Sequence, residues 1–298
     1  MIDSRRQYWE AQSVNHRDFA YQYGKNPDQR YPQYEIRRDR LIELLDPHDR
    51  GRLLDAGCGT GNVLAACLQN GWDGYGVDFA EGMIEGARAL LSEAGENPDR
   101  VSHSHIWDLS QFESGSFAAV VIMGVLSYVT DEEERRFLAE AARILQPGGV
   151  LVTHNINTLF DMFTLNRFTV DFYDRQFLSL FFDDAAERAD ARSRIAALLA
   201  HPEAPAPGSR MAPTRDQAPS RQANPLTFGS HVEHFGFAQK DQVYLRFHAV
   251  PPLLFEQRPA DEALPVEHET ALCRDWRGMF LASNFMTVFA KTETAKTV

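Results

Sequence analysis

From residue 46 to residue 155 the chain alternates short apolar runs with longer amphipathic stretches. The apolar runs begin near Arg52, Gly74, Val101, Ala118 and Val150, and stretches of helical periodicity begin near Asn62, Gly82 and Glu132. Runs this short and this apolar suit strands buried on both faces, and strands that alternate with helices make a parallel sheet whose loops gather along one edge. Further on, Val243 to Val250 and Phe285 to Lys291 have the β-branched and aromatic character of two more strands. The pattern predicts an α/β fold.

The most informative junction in that pattern is Leu53-Leu54-Asp55-Ala56-Gly57-Cys58-Gly59-Thr60-Gly61. An apolar strand end runs into three glycines, which permit a sharp turn and a close approach of backbone to a ligand. A helical stretch follows from Asn62, so the turn lies where ligands bind in an open parallel sheet. It departs from the dinucleotide fingerprint, because Asn62 occupies the position of the third glycine. Asp78 closes the next predicted strand about twenty residues on, where ribose hydroxyls would be held.

These residues and the motifs that follow in order resemble the class I S-adenosylmethionine-dependent methyltransferases. Asp-Ala-Gly-Cys-Gly-Thr-Gly is similar to the first motif, Val77-Asp78-Phe79 to the second and Trp107-Asp108-Leu109 to the third. Gly124-Val125-Leu126-Ser127-Tyr128-Val129 resembles the exit of the fourth strand, and Arg143 to Val152, with Pro147-Gly148-Gly149, the helix, turn and fifth strand. The resemblance implies a Rossmann-like, seven-stranded, mostly parallel sheet with helices on both faces, ending in an antiparallel strand pair. It also implies S-adenosylmethionine as cofactor and S-adenosylhomocysteine as product. The implied cofactor residues are Asp55, Gly57, Cys58, Gly59, Gly61, Asp78, Phe79, Met83, Trp107, Asp108, Leu109, Met123 and Gly124. Among them Asp78 takes the ribose and Asp108 the adenine amino group, with Phe79 and Leu109 flanking the ring.

Outside the motifs the chain divides into an N-terminal helical lid (1–45), the core (46–155), a helical substrate-cap insertion after the fifth strand (156–225) and a C-terminal part of the core (226–298). The first segment is rich in aromatics and carries Arg37, Arg38 and Arg40. An amphipathic helix pair with solvated arginines is the plain account of it, while the resemblance implies a lid that brings Tyr8, Trp9 and Tyr21 over the cofactor. The insertion is dense in phenylalanine from Phe160 to Phe182, at spacings that predict helices with one strongly apolar face, suited to core packing or to a homodimer interface. Six prolines between Pro202 and Pro225 predict an irregular loop.

Composition narrows the partners. The net charge of −12 over 298 residues opposes a phosphate backbone, so a small-molecule acceptor is expected rather than nucleic acid. No apolar run approaches the length of a membrane span, and the N-terminus has no signal-like stretch, which predicts a cytoplasmic protein. Cys58, Cys67 and Cys273 have neither metal-ligand spacing nor the number for a disulfide framework, and no metal is expected.

Methyl transfer from a sulfonium needs alignment above all, and a base only where the acceptor must lose a proton. His154, at the end of the fifth predicted strand, is the first candidate for that base, and Tyr128, just after the fourth, is the second. Insertion arginines such as Arg188, Arg192, Arg194 and Arg221 suit an anionic acceptor. The expected function is methyl transfer to an O or N atom of a small molecule. A protein-directed methyltransferase, a non-catalytic cofactor-binding protein and, more remotely, a nicotinamide dehydrogenase are the alternatives.

Overall fold

The protein is described here from a computed structural model, and the description covers residues 5, 7–13, 33–199, 221–248, 251 and 266–292. One sheet of seven strands carries the fold, in the order β3-β2-β1-β4-β5-β7-β6. Its strands are β1 (Arg52–Ala56), β2 (Asp73–Asp78), β3 (Val101–His103), β4 (Phe117–Met123), β5 (Leu145–Ile156), β6 (Phe237–Phe247) and β7 (Ala282–Lys291). The β1–β2, β1–β4, β2–β3 and β4–β5 pairings are all parallel. The order steps outward from β1 in both directions, so β1 and β4 flank the switch point at which such sheets bind ligands.

Burial explains why the central strands read as unbroken apolar runs. Leu53, Leu54, Val120, Val121, Ile122, Leu151 and Val152 are wholly or almost wholly buried, as strands covered on both faces must be. Helices α1 (residues 7–13), α2 (Gln33–Leu45), α3 (Asn62–Gln69), α4 (Glu81–Glu93) and α5 (Asp131–Ile144) accompany these strands. Leu64 of α3 and Ile84, Ala87 and Leu91 of α4 form one buried cluster with Cys58 and Val101. Helix α5 starts on a capping box, in which Thr130 accepts from the Glu133 N–H while the Glu133 carboxylate accepts from the Thr130 N–H.

The fifth strand differs from its expected form. Strand geometry already begins at Leu145, and the pairing with β4 jumps from Phe117↔Leu145 to Ala119↔Val150, so residues 146–149 bulge out of the ladder. The Pro-Gly-Gly turn is that bulge. Strand β6 likewise begins at Phe237, six residues ahead of the expected Val243.

The chain forms two compact units. One comprises Met1–Asn155, Thr227–Gln242 and Met286–Val298, and the other Ile156–Leu226 and Val243–Phe285. Residues 243–285, expected to complete the core, thus cluster with the insertion. Within the first unit lies α9 (Phe228–Glu233). Within the second lie α6 (Arg167–Tyr173), α7 (Ser179–Phe181), α8 (Ala185–Leu198), α10 (Val266–Leu272) and α11 (Gly278–Leu281). The lysine-free insertion does form helices, but three of its arginines are engaged by acids of the same segment: Arg188 with Asp174, Arg192 with Asp171 and Arg194 with Asp190. Most of the proline-rich stretch lies outside the described residues.

One side chain joins two distant segments of this second unit. Fully buried Asn157 donates from Nδ2 to the Met279 and Ala282 carbonyls, each at 2.8 Å, and accepts from the Leu159 N–H at 3.0 Å. Removing that amide strands two buried carbonyls and one N–H. Asn157→Ala is expected to lower unfolding stability by about 2–4 kcal/mol, read from the denaturant midpoint, because each orphaned buried group costs roughly 1–3 kcal/mol.

Candidate functional site

The first unit holds a cavity of about 190 Å³ at the carboxyl edge of the sheet, lined by residues that leave β1, β2, β3 and β4 together with α1 and α2. Its floor is the glycine turn. The Gly57 and Cys58 N–H groups both donate to the Val77 carbonyl, and the Gly59 N–H donates to Asp78 Oδ2 at 3.0 Å. These amides are therefore committed to the turn itself. The glycines act by leaving room, since a Cβ at Gly57, where φ is +77°, would overlap Val125 Cγ2.

Gly61 has a different task. It caps α3 in the left-handed region, and a Cβ there would come within 3.1 Å of Ala87 Cβ, so it lets α3 lie close against α4. It does not line the cavity. Of the other residues implied by the resemblance, Asp55, Gly57, Cys58, Gly59, Asp78, Phe79, Met83, Trp107, Met123, Gly124, Trp9 and Tyr128 all stand on its wall.

Asp108, Leu109, His154 and Tyr8 do not. Asp108 is exposed, and its carboxylate accepts from the Ser110 hydroxyl at 2.8 Å, a bond that holds its pKa below the ordinary carboxylate range. Leu109 is fully buried away from the cavity. His154 is buried off the wall, with Nδ1 3.8 Å from where a Cβ on Gly124 would sit. Burial, with the nearby Arg37 charge, pushes its pKa well below the ordinary histidine value, so the ring is neutral at physiological pH. Tyr8 reaches the site indirectly, edge-on to Trp9 at 5.1 Å. Tyr21 lies outside the described residues.

Several lining residues lie outside the motifs: Arg5, Tyr34, Arg37, Val63, His105 and Ile106. For Arg37 a signal existed. It falls on the same helical stripe as Leu41, Leu44 and Leu45, all buried, which places it on the inward face of α2. Its guanidinium lies over the Tyr34 ring, 5.1 Å from the centroid, and Nε is buried with no partner.

Two further contacts strap α1 across the cavity. Arg5 pairs with both oxygens of Glu133, at 2.7 and 2.8 Å, and donates to the Tyr128 carbonyl. The Glu10 carboxylate accepts from the Glu81 and Gly82 N–H groups at 2.8 Å each, at the positive end of α4. Between them Trp9 meets Tyr128 edge-on at 5.1 Å.

A glycine turn at β1, an acid ending β2 and a sheet of this order are the Rossmann-like arrangement of the class I S-adenosylmethionine-dependent methyltransferases. Residues 54–153 match the family described as a methyltransferase domain, and S-adenosylmethionine is its cofactor. A demethylmenaquinone methyltransferase of Clavibacter sepedonicus is 38% identical over 107 residues, covering 36% of this chain and 42% of that protein. A ubiquinone biosynthesis O-methyltransferase of Maricaulis maris is 31% identical over 119 residues, covering 40% and 46%. This chain thus spans less than half the length of either relative. Magnesium protoporphyrin IX methyltransferase of Synechocystis, solved with bound S-adenosylhomocysteine, superposes with a TM-score of 0.57 at 13% identity, covering 98% of this chain and 100% of that one. At that identity the likeness is one of fold. No helix of the described residues is long and apolar enough to cross a membrane.

The residues fit the cofactor by a physical criterion. Asp55 is buried to 1% exposure; one side of its carboxylate takes the Leu64 N–H, and Oδ2 has no partner. Burial, and secondarily the Asp78 charge, raise its pKa to about 7 against the pull of Arg37. An orphaned carboxylate and an orphaned guanidinium nitrogen in one cavity suit a zwitterionic ligand.

The same burial has a cost in the empty protein. A carboxyl whose folded pKa lies above its unfolded value of about 3.8 binds its proton more tightly when folded. Stability therefore falls as pH rises from about 4 to about 7, and no further above that. Asp55→Asn is expected to flatten this slope and to raise stability at pH 8 by about 2–4 kcal/mol, from the roughly 1.4 kcal/mol carried by each pKa unit. Thermal unfolding of both proteins at pH 5 and pH 8 measures it.

Proposed function

We propose that this protein transfers a methyl group to an oxygen or nitrogen atom of a small-molecule acceptor. One observation carries the reading: the cavity unites a strand-end carboxylate, an open glycine turn and two buried polar atoms lacking partners, Asp55 Oδ2 and Arg37 Nε. The names of the two relatives, a demethylmenaquinone methyltransferase and a ubiquinone biosynthesis O-methyltransferase, support a small acceptor, and the second favours oxygen.

In this reading Asp55 and Arg37 hold the ammonium and carboxylate of the cofactor's methionyl end. Asp78 takes the ribose: its two oxygens accept from the Gly59, Ala80 and Phe79 N–H groups, which leaves one lone pair for a hydroxyl. Bound there, S-adenosylmethionine supplies a methyl group on a positively charged sulfur with a neutral leaving group. The protein's part is alignment and the exclusion of water. Tyr128 is the acid–base candidate on the wall and orients the acceptor atom.

Release of S-adenosylhomocysteine across a library of phenolic and amine metabolites tests the reaction, with calorimetry for the cofactor itself. Wild type is expected to turn over at least one phenolic acceptor. Asp78→Ala is expected to bind S-adenosylhomocysteine about tenfold or more weakly, the effect of one lost partly buried hydrogen-bonding group. Wild-type protein that binds neither cofactor nor product would refute the reading.

The α1 strap acts as the lid over the bound cofactor, held by Arg5–Glu133 at one end and by Glu10 on α4 at the other. Glu10→Ala or Arg5→Ala is expected to speed cofactor dissociation about tenfold by stopped flow and to remove the ligand-dependent hydrogen-exchange protection of residues 7–13. Unchanged dissociation in both variants would show that the strap does not gate the site.

A further inference from the structure

A cofactor bound as proposed above fills one side of the cavity and leaves the other open. With its amino-acid end at Asp55 of β1 and its ribose at Asp78 of β2, it lies away from β4, the neighbour of β1 on the opposite side. The rest of the wall comes from the exit of β4, with Gly124 and Tyr128, and from Trp9 of α1 and Tyr34 and Arg37 of α2. The four side chains Trp9, Tyr34, Arg37 and Tyr128 are half-buried, so they present surface to an occupant. This is the side left for the methyl acceptor.

Its chemistry is that of a cation among rings, with no base beside it. Arg37 forms no ion pair among the described residues. Its guanidinium lies over the Tyr34 ring at 5.1 Å, and Nη1, on a different edge from Nε, is 3.1 Å from where a Cβ on Gly124 would sit. The indole and the guanidinium only donate, and a phenol gives up a proton more readily than it takes one. Burial, and then the Tyr128 and Tyr34 phenols beside it, raise the Tyr8 pKa, so that hydroxyl also keeps its proton. Arg5, the other cation of the cavity, is held by Glu133. His154 reaches to 3.8 Å from the same Gly124 position, but burial and the Arg37 charge hold its pKa so low that it is a weak base. Asp55 and Asp78 are taken by the cofactor, and His105 leaves β3, three strands from β4.

A neutral alcohol or an ammonium group has to lose a proton before it can attack, and this wall has nothing to receive one. An acceptor that arrives ionised needs only a countercharge. The rings favour a flat partner: Trp9 stands edge-on to Tyr128 and to Tyr8, each at 5.1 Å, beside the half-buried Tyr34. Resting on the cofactor reading above, we propose that the acceptor is a phenol bound at the β4 exit as its phenolate, with its oxygen on Arg37 Nη1 and its ring against Trp9 and Tyr34. The phenol gives its proton to solvent on binding. Its oxygen lone pair then forms the new O–C bond as the C–S pair returns to sulfur, so an anion and a sulfonium leave as a neutral ether and neutral S-adenosylhomocysteine. Tyr128 donates to the same oxygen and takes no proton, while the Nε edge of Arg37 stays with the cofactor carboxylate.

Two measurements test this, one of binding and one of rate. With S-adenosylhomocysteine in excess, 4-nitrophenol is titrated into the protein at pH 6, and the longer-wavelength absorption of the phenolate reports which form is bound. Wild type is expected to favour the phenolate about tenfold over free solution, the scale of one charge-assisted hydrogen bond. Arg37→Gln is expected to lose that preference and Tyr128→Phe to keep most of it, with circular dichroism showing that both are folded. The rate measurement needs no variant. At saturating S-adenosylmethionine, the pH at which kcat/KM stops rising is expected to follow the pKa of the phenol across a series of nitro-, chloro- and unsubstituted phenols. One fixed pH for the whole series would reveal a protein base and overturn the proposal. So would nitrophenol bound in its neutral form or not bound at all, or turnover of amines without phenols, each leaving the cofactor reading intact. Wild-type protein that binds neither S-adenosylmethionine nor S-adenosylhomocysteine would overturn both.

Discussion

The site depends on one carboxylate placed between two turns. Asp78 ends β2, and its oxygens accept from Gly59 in the turn after β1 and from Ala80 at the start of α4. Parallel pairing in register, with Ala56 opposite Val77, brings both strand ends to the same level. The acid can then bridge them. Burial raises its pKa while the three backbone donors Ala80, Gly59 and Phe79 oppose that rise, so the turn and the charge stabilise each other. Without that bridge neither the close approach at Gly57 nor the open end of α4 would have a fixed position.

Around this bridge the protein keeps charged groups where burial disfavours them. Asp55 and the Arg37 guanidinium lie in the same cavity with polar atoms unpartnered. A structure optimised for stability alone would fill these positions with apolar side chains. Their presence makes sense as complementarity to a charged ligand, whose binding supplies the missing partners. The α1 strap follows the same logic at the rim. Arg5 and Glu10 fix it through a bidentate ion pair and a helix amino end, interactions of a few kcal/mol at most that a lid can make and break.

Much of the α/β frame was legible because it is written in short-range patterns. The five core strands, the three helices between them, the glycine turn and Asp78 all emerge from local periodicity and the chemistry of one turn. The legibility fails where side-chain direction is set by neighbours. Beyond the three-residue β3, Ser104 donates to the Asp108 carbonyl and Asp108 turns to Ser110, so the wall is made three residues before the motif's acid. His154 shows a second limit. Every residue of β5 from Val150 to Asn155 is buried, so apolar alternation gives no parity, and nothing in the sequence tells which face the imidazole takes. Arg37 was hidden by its charge although its helical stripe marks it as inward-facing. The grouping of residues 243–285 with the insertion depends on long-range contacts such as Asn157 to Met279, which leave no mark on either segment alone.

The most direct test of the account is a crystal structure of the complex with S-adenosylhomocysteine. The ribose hydroxyls are expected on Asp78, the methionyl end between Asp55 and Arg37, and the purine ring against the Phe79–His105–Trp107 stack. Density for the ligand elsewhere on the molecule, or in this cavity with its base at the β4 end and its amino-acid end at β3, would contradict it.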